Sequence, residues 1–301
     1  MGWSTYSDLM KKTTVYFALA LALGSVSHGM AQVTAEVVME QEHFLIGETI
    51  PVAVRITNRS GQALHLGEEA NWLTFSLEAK DHSIVSKNGE VPVKGEFALE
   101  SGKVATRRVD LAPYFFLDRP GRYQLTANVN IKVWDTTVTA SPKSFDVING
   151  AKIWSQEFGM PLPAGVTNRS PEVRRYTLEQ ANYLRSQLRL YLRLSEAESG
   201  RVLKVFPIGS MVAISEPEHQ IDRNNNLHVL YQHGARVYLY TMITPDGEVT
   251  VRQLHEITSA RPRLLADDKG GFYVAGGARR FTSNDLPAPT NPDTDASPEK
   301  P

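Results

Sequence analysis

The sequence predicts a mainly β protein in two parts, a β-sandwich followed by a smaller antiparallel meander sheet with propeller-blade-like hairpins. Two observations carry this. Short stretches of alternating apolar and polar residues recur along the chain, separated by Gly, Pro, Asn and Asp, and a period of two is the mark of a half-buried strand. A faint repeat follows in the second half. Gly234-Ala-Arg236 succeeds one strand-like run and Gly277-Ala-Arg279 another, an offset of 43 residues, within the ~40–45 of a propeller blade. Only about two such units fit, too few to close a propeller.

Taken from the beginning, residues 1–31 have the pattern of a signal peptide. Lys11 and Lys12 supply positive charge, 15–23 is an unbroken apolar and small run, and Gly29-Met-Ala31 places small residues where a signal peptidase cuts. Cleavage after Ala31 is the expectation; an uncleaved anchor is the alternative, although the run falls short of the ~20 residues of a membrane span. Met10-Lys11-Lys12 is a more natural start than Met1, and the expectation is that 1–9 is a gene-start artefact.

Residues 32–150 form the sandwich. In Pro51-Val-Ala-Val-Arg-Ile-Thr57, Val52, Val54 and Ile56 point one way and Ala53, Arg55 and Thr57 the other. Gly47-Glu48 before it and Asn58-Arg-Ser-Gly61 after it are turn chemistry. Leu73, Phe75 and Leu77 alternate again, and 103–111 and 123–133 complete the set. The run Gly47-Glu-Thr-Ile-Pro-Val-Ala-Val-Arg-Ile-Thr-Asn58 resembles the second strand of bacterial immunoglobulin-like and macroglobulin-like domains. Pro120-Gly-Arg-Tyr-Gln-Leu-Thr-Ala127 resembles their Pro-Gly-x-Tyr strand. The resemblance implies that Tyr123 forms a structural corner by bonding back to upstream backbone. It covers about the first half of the mature chain and is silent about activity, because this fold hosts many functions. The chain as a whole is similar to exported bacterial proteins that pair such a domain with a β-rich C-terminal segment.

Residues 151–171 are predicted as a connector, since Pro161, Pro163, Gly165 and Pro171 break any period. The stretch 176–194 admits two readings. Leu178, Ala181, Leu184, Leu188 and Tyr191 form a helical stripe, yet Leu188, Leu190, Leu192 and Leu194 alternate with Arg189, Tyr191 and Arg193 as a strand does. A hairpin over 187–208, with a helical turn before it, is favoured. Runs at 226–231, 236–243, 248–254 and 271–275 are further strands, which fill a β-rich domain over 172–280. The remainder, 281–301, is a Pro- and Asp-rich tail of little apolar content, predicted to be disordered.

The formal net charge of -1 over 301 residues gives no reason to expect nucleic acid. There is no cysteine, which excludes a lipoprotein anchor, disulfides and thiol catalysis, and favours a bacterial periplasm or exterior over a eukaryotic secretory route. Asn58-Arg-Ser60 and Asn168-Arg-Ser170 match a glycosylation pattern but are expected as ordinary turns. No nucleophile elbow, metal-binding His pair or phosphate loop occurs. His219, His228, His233 and His255 cluster in the second half without ligand spacing, and Asp222-x-Asn224-x-Asn226 lacks the Gly and Glu of a calcium loop. No catalytic residue, metal or cofactor is therefore assigned. The stretch 169–204 carries eight basic and four acidic residues. Within it Arg185, Arg189, Tyr191 and Arg193 are the candidate surface for a polyanion or partner, against the blander reading of a solvated face. The expectation is a periplasmic or secreted, non-catalytic binding or structural module of the bacterial cell envelope. Its partner would be an envelope protein or glycan, with no nucleic acid and no membrane span after signal cleavage. The alternative is an envelope carbohydrate-active enzyme whose carboxylates the sequence does not pair.

Overall fold

The computed structural model describes residues 33–81, 83–160, 172–184, 187–212, 216–268 and 270–287. The expected signal peptide and Asn168 lie outside them.

The first half contains β1 (Val33–Val38), β2 (His43–Leu45), β3 (Pro51–Asn58), β4 (Leu64–Leu66), β5 (Leu73–Ala79), β6 (Phe97–Leu99), β7 (Val104–Asp110), β8 (Gly121–Ile131), β9 (Thr136–Thr139) and β10 (Lys143–Ile148). One sheet has the order β1-β3-β7 and the other β2-β10-β8-β5, with β9 also on β8 and β4 paired with β6 apart. Pairing is antiparallel except between β10 and β2. The alternation seen in the sequence explains the packing. Tyr123, Leu125, Ala127, Val129 and Ile131 of β8 are all buried, as are Val52, Val54 and Ile56 of β3, and both sets belong to one core with Leu73, Phe75 and Leu77. Each such aliphatic side chain contributes about 1.5–3 kcal/mol on burial. Asn58 ends β3 with no exposed surface; its amide donates to the carbonyls of Gln62 and Leu99 at 2.8 Å each and its Oδ1 accepts from Ser60. It is a buried turn clamp.

The second half contains β11 (Ala151–Gly159), β12 (Val173–Leu184), β13 (Gln187–Glu196), β14 (Val202–Ser210), β15 (Glu218–Ile221), β16 (Leu227–Gly234), β17 (Val237–Ile243), β18 (Val249–Glu256), β19 (Arg263–Ala266), β20 (Phe272–Ala275) and β21 (Ala278–Arg280). It is mainly β and built of meanders, and these make two sheets rather than the single small one expected. β11-β12-β13-β14 form one; β15-β16-β17-β18-β21 form the other. Leu178, Leu190, Leu192 and Leu194 of the first share a core with Leu227, Val229, Tyr231 and Leu239 of the second. The β19-β20 hairpin is related to the second sheet's other face, where Leu264 and Val274 pack on Leu230, Tyr238 and Tyr240.

Three sequence expectations are corrected here. The connector does not begin at 151, because Ala151–Gly159 is a full strand paired with β12; residues 161–171 lie outside the described ones. No helical turn precedes the hairpin within the described residues, since Val173–Leu184 is strand throughout. The tail does not begin at 281: Asp285 is 2% exposed, and Leu286 exchanges two backbone hydrogen bonds with Arg252, each of 3.0 Å. Only the part beyond 287 lies outside the described residues.

Three hairpin loops of the second half share one construction. In each a side chain at the first position accepts the amide of the fifth: Asp222 from Asn226 at 2.8 Å, Thr244 from Glu248 at 3.1 Å, and Asp267 from Gly271 at 2.7 Å. The fourth residue of each loop is left-handed, with φ of 63° at Asn225, 74° at Gly247 and 81° at Gly270, and its amide returns to the first residue's carbonyl at 2.8–3.1 Å. Asn and Gly are the residues that tolerate that conformation.

Candidate functional site

The candidate surface residues come from β13, whose sequence Leu-Arg-Leu-Tyr-Leu-Arg-Leu alternates. Its leucines face the second half's core; Arg189, Tyr191 and Arg193 face the opposite way. That face is not free. Tyr191 is 1% exposed and forms a cluster with Ala181, Val205 and Leu45, joined by Ile148. Leu45 and Ile148 belong to the first half, so the cluster is the joint between the halves. Burial, foremost, pushes the Tyr191 hydroxyl far up from its ordinary value. Arg193 holds both oxygens of Glu179 at 3.0 and 3.1 Å and donates to the Ile46 carbonyl at 3.0 Å. Arg189 lies over the Tyr183 ring at 3.4 Å and donates to Gln41 Oε1 at 2.9 Å. Gln41 in turn donates to Glu48, a carboxylate 3% exposed that also accepts the Leu45 amide at 2.8 Å. Burial outweighs those bonds and raises the Glu48 carboxyl above its ordinary value. A backbone bond from Glu42 N to Tyr183 O at 3.1 Å completes the joint. Tyr191 is therefore no surface residue, and Arg193 is engaged within the molecule by Glu179 and Ile46, whereas Arg189, held by Gln41 and the Tyr183 ring, also borders a cleft. Arg185 lies outside the described residues.

Tyr123 is 5% exposed, stacks on Phe145 with ring centroids 5.8 Å apart, and donates from Oη to the Arg119 carbonyl at 2.8 Å. Burial, with the nearby Asp118 and Asp81, raises its hydroxyl above the ordinary value.

The histidines do not converge. His219 packs on Trp154 with centroids 4.4 Å apart, His233 Nδ1 meets the Ser210 carbonyl at 2.9 Å, and His255 is buried with Nε2 unpartnered. Among the described residues no group of three or more His, Asp or Glu side chains is placed to hold a metal. His228 lies between Tyr240 Oη at 2.8 Å and Asp222 Oδ2 at 3.2 Å. The order Asp–His–Tyr is that of a proton relay, yet His228 is 3% and Tyr240 6% exposed, and burial pushes the Tyr240 hydroxyl up to about 12. Asp222 meanwhile holds its own loop through Asn224 and Asn226. The three side chains brace the loop against the sheet.

A cleft of about 390 Å³ opens where the end of β14 meets the second sheet, with Gly209, His233, Arg252 and Arg189 on its walls and Thr282 and Asp285 at its lip. No sequence motif marked Arg252, Tyr231 or Asp285, and a lining drawn from five strands and the segment after β21 leaves no local spacing that could.

No family model and no curated protein matches the chain. Among solved structures, the sporulation control protein Spo0M from Bacillus subtilis is 12% identical over 67% of this chain and 80% of that one, with a TM-score of 0.30. So slight a likeness carries nothing over. Among the described residues, no helix is long and apolar enough to cross a membrane.

Proposed function

We propose that the chain is an exported, non-catalytic binding or structural module of the bacterial cell envelope, related to exported proteins that join an immunoglobulin-like or macroglobulin-like sandwich to a second β-rich part. The observation that carries this is the joint. Tyr191, Leu45, Ala181 and Val205 are buried together, and Arg193 and Arg189 reach across to Ile46 and Gln41. Such a joint fixes two sandwich-like halves as one presenting unit, with loops and sheet edges outward. The enzyme reading gains nothing specific. The most buried carboxylates among the described residues are engaged: Glu48 by Leu45 and Gln41, Glu179 by Arg193, and Asp285 by Thr282 and Arg279.

The test is expression of the full chain in a bacterial host, with fractionation and intact-mass measurement, followed by affinity capture from envelope extract. The expected outcome is a periplasmic or external species beginning at Gln32 that retains a specific envelope polypeptide or glycan unchanged. A cytoplasmic species that keeps residues 15–23, or turnover of a captured glycan, would overturn the proposal.

A further inference from the structure

The cleft at the end of β14 has the composition of an anion site. Arg252 and Arg189 both line it; Arg252 makes no ion pair among the described residues, while Arg189 is held by Gln41, Tyr191 and the Tyr183 ring and its charge acts on the buried Glu48. The Nε of Arg252 is buried and has no hydrogen-bond partner. Asp285, the acidic side chain of the lining, is already matched by Arg279 at 3.2 Å and by Thr282 Oγ1 at 2.7 Å. The unmatched charge of the lining is therefore the positive one of Arg252. His233 adds a polar edge: its Nδ1 faces a carbonyl, which only accepts, so the proton sits there and Nε2 is left over.

A second feature points the same way. Tyr231 has no exposed surface, and its hydroxyl has no partner. It lies 2.5 Å from where a Cβ on Gly209 would stand, and Gly209 is part of the cleft wall. Only the missing side chain leaves room for that hydroxyl at the wall. Buried polar atoms without partners are rare in folded proteins and call for a physical explanation, an ion or water among them. Here a guanidinium nitrogen belongs to a lining residue, and a phenol lies directly behind the wall at Gly209. The other wall is apolar, from Ile208, Leu239 and Leu254.

We infer that this cleft binds a small organic anion, its carboxylate or phosphate head taken by Arg252 and its body lying on the apolar wall. A planar guanidinium fork suits either head group. Arg252 is fixed for the task, since its backbone exchanges both hydrogen bonds with Leu286 and so ties the lip to the wall. The inference stands whether or not the chain is exported.

Isothermal titration of the full chain with glucuronate, glucose 6-phosphate and glucose tests it, the first two separating carboxylate from phosphate as the source of the charge. At least one acid is expected to bind tenfold or more tightly than glucose. Arg252→Met should weaken that acid at least tenfold. Asn284→Trp, on the exposed lip, should do the same by filling the mouth while the melting temperature holds, and it decides alone if the Arg252 variant does not fold. Neither acid binding more tightly than glucose, or binding within twofold of the parent in the folded variants, overturns the inference.

Discussion

Arg193→Met isolates what holds the two halves together. The substitution keeps an unbranched apolar stem but removes the guanidinium that grips Glu179 by two bonds and the Ile46 carbonyl by a third. Glu179 would then be a carboxylate only 9% exposed with its cation gone. Breaking one side of a buried pair costs about 3–5 kcal/mol. The Arg193 and Glu179 side chains are 18% and 11% exposed, so water relieves part of this and about 2–4 kcal/mol is expected. Removing both charges in Arg193→Met/Glu179→Leu should recover at least half, since no unpaired charge remains and the site is flanked by Tyr191 and Val205. The assay is urea unfolding followed by tryptophan fluorescence. Trp72 is buried in the first half's core, and Trp154 packs on the second half's. The parent should lose both signals in one transition, and Arg193→Met should separate them as the halves uncouple. A loss below about 0.5 kcal/mol, or a double variant as unstable as the two single changes added, would refute the reasoning.

Tyr123→Phe removes a bond to a carbonyl whose residue, Arg119, is exposed; water can replace the donor, so the cost should be about 0.5–1.5 kcal/mol, read as a shifted urea midpoint at equal slope. Asp222→Ala should cost about 2–4 kcal/mol, because one carboxylate serves Asn224, Asn226 and His228, and hydrogen exchange should rise at the loop amides of 224–226. Burial pushes the Asp222 carboxyl up, but the bonds from Asn226, His228 and Asn224 together bring it below its ordinary value. The stability it lends is complete above about pH 4 and lost as pH falls through the folded value; Asp222→Ala should flatten that acid limb. His255 is lowered from its ordinary value, by burial first and the Arg279 charge second, against Asp285. Its unfolded form therefore takes a proton first, and stability should fall below about pH 6.5 by up to ~1.4 kcal/mol per pH unit. His255→Leu, compared with the parent by urea unfolding at pH 7 and 5, should remove that slope.

The elements legible in the sequence are those with one wet face. β3, β5 and β8 bury alternate residues, and the alternation placed them within a residue or two. β12 resisted because four consecutive residues, Tyr176 to Glu179, are buried, so no period of two survives and a helical stripe emerges by accident. β11 resisted for the opposite reason: it is an edge strand with one well-buried residue, Phe158. The arginines of β13 misled because the sequence shows which face is charged but not what lies against it. A cation stripe between two layers and one facing solvent have the same spacing; only the position of Glu179, Ile46 and Gln41 distinguishes them.

The repeat also explains how the second half ends. The hairpins β15-β16 and β19-β20 share their Asp-clamped loop, and each is followed by Gly-Ala-Arg. After Gly234 the chain turns into β17, which pairs with β16. After Gly276 and Gly277 it does not form the corresponding partner of β20; it crosses to the open edge of β18 as β21. Both glycines have positive φ, 75° and 65°, and a Cβ at Gly277 would lie 2.5 Å from the Glu256 carbonyl. This approach to β18 thus requires glycine, while Gly234 needs no such contact. Open sheet edges invite further pairing, and stacked repeats need a terminal cap. The last unit supplies one by diverting its third strand: Ala278, Arg279 and Arg280 pair with Glu256, His255 and Leu254, and Leu286 continues along the same edge at Arg252. The meander stops because its own continuation covers the edge on which another strand would have been added, and the same segment brings Thr282 and Asp285 to the lip of the cleft.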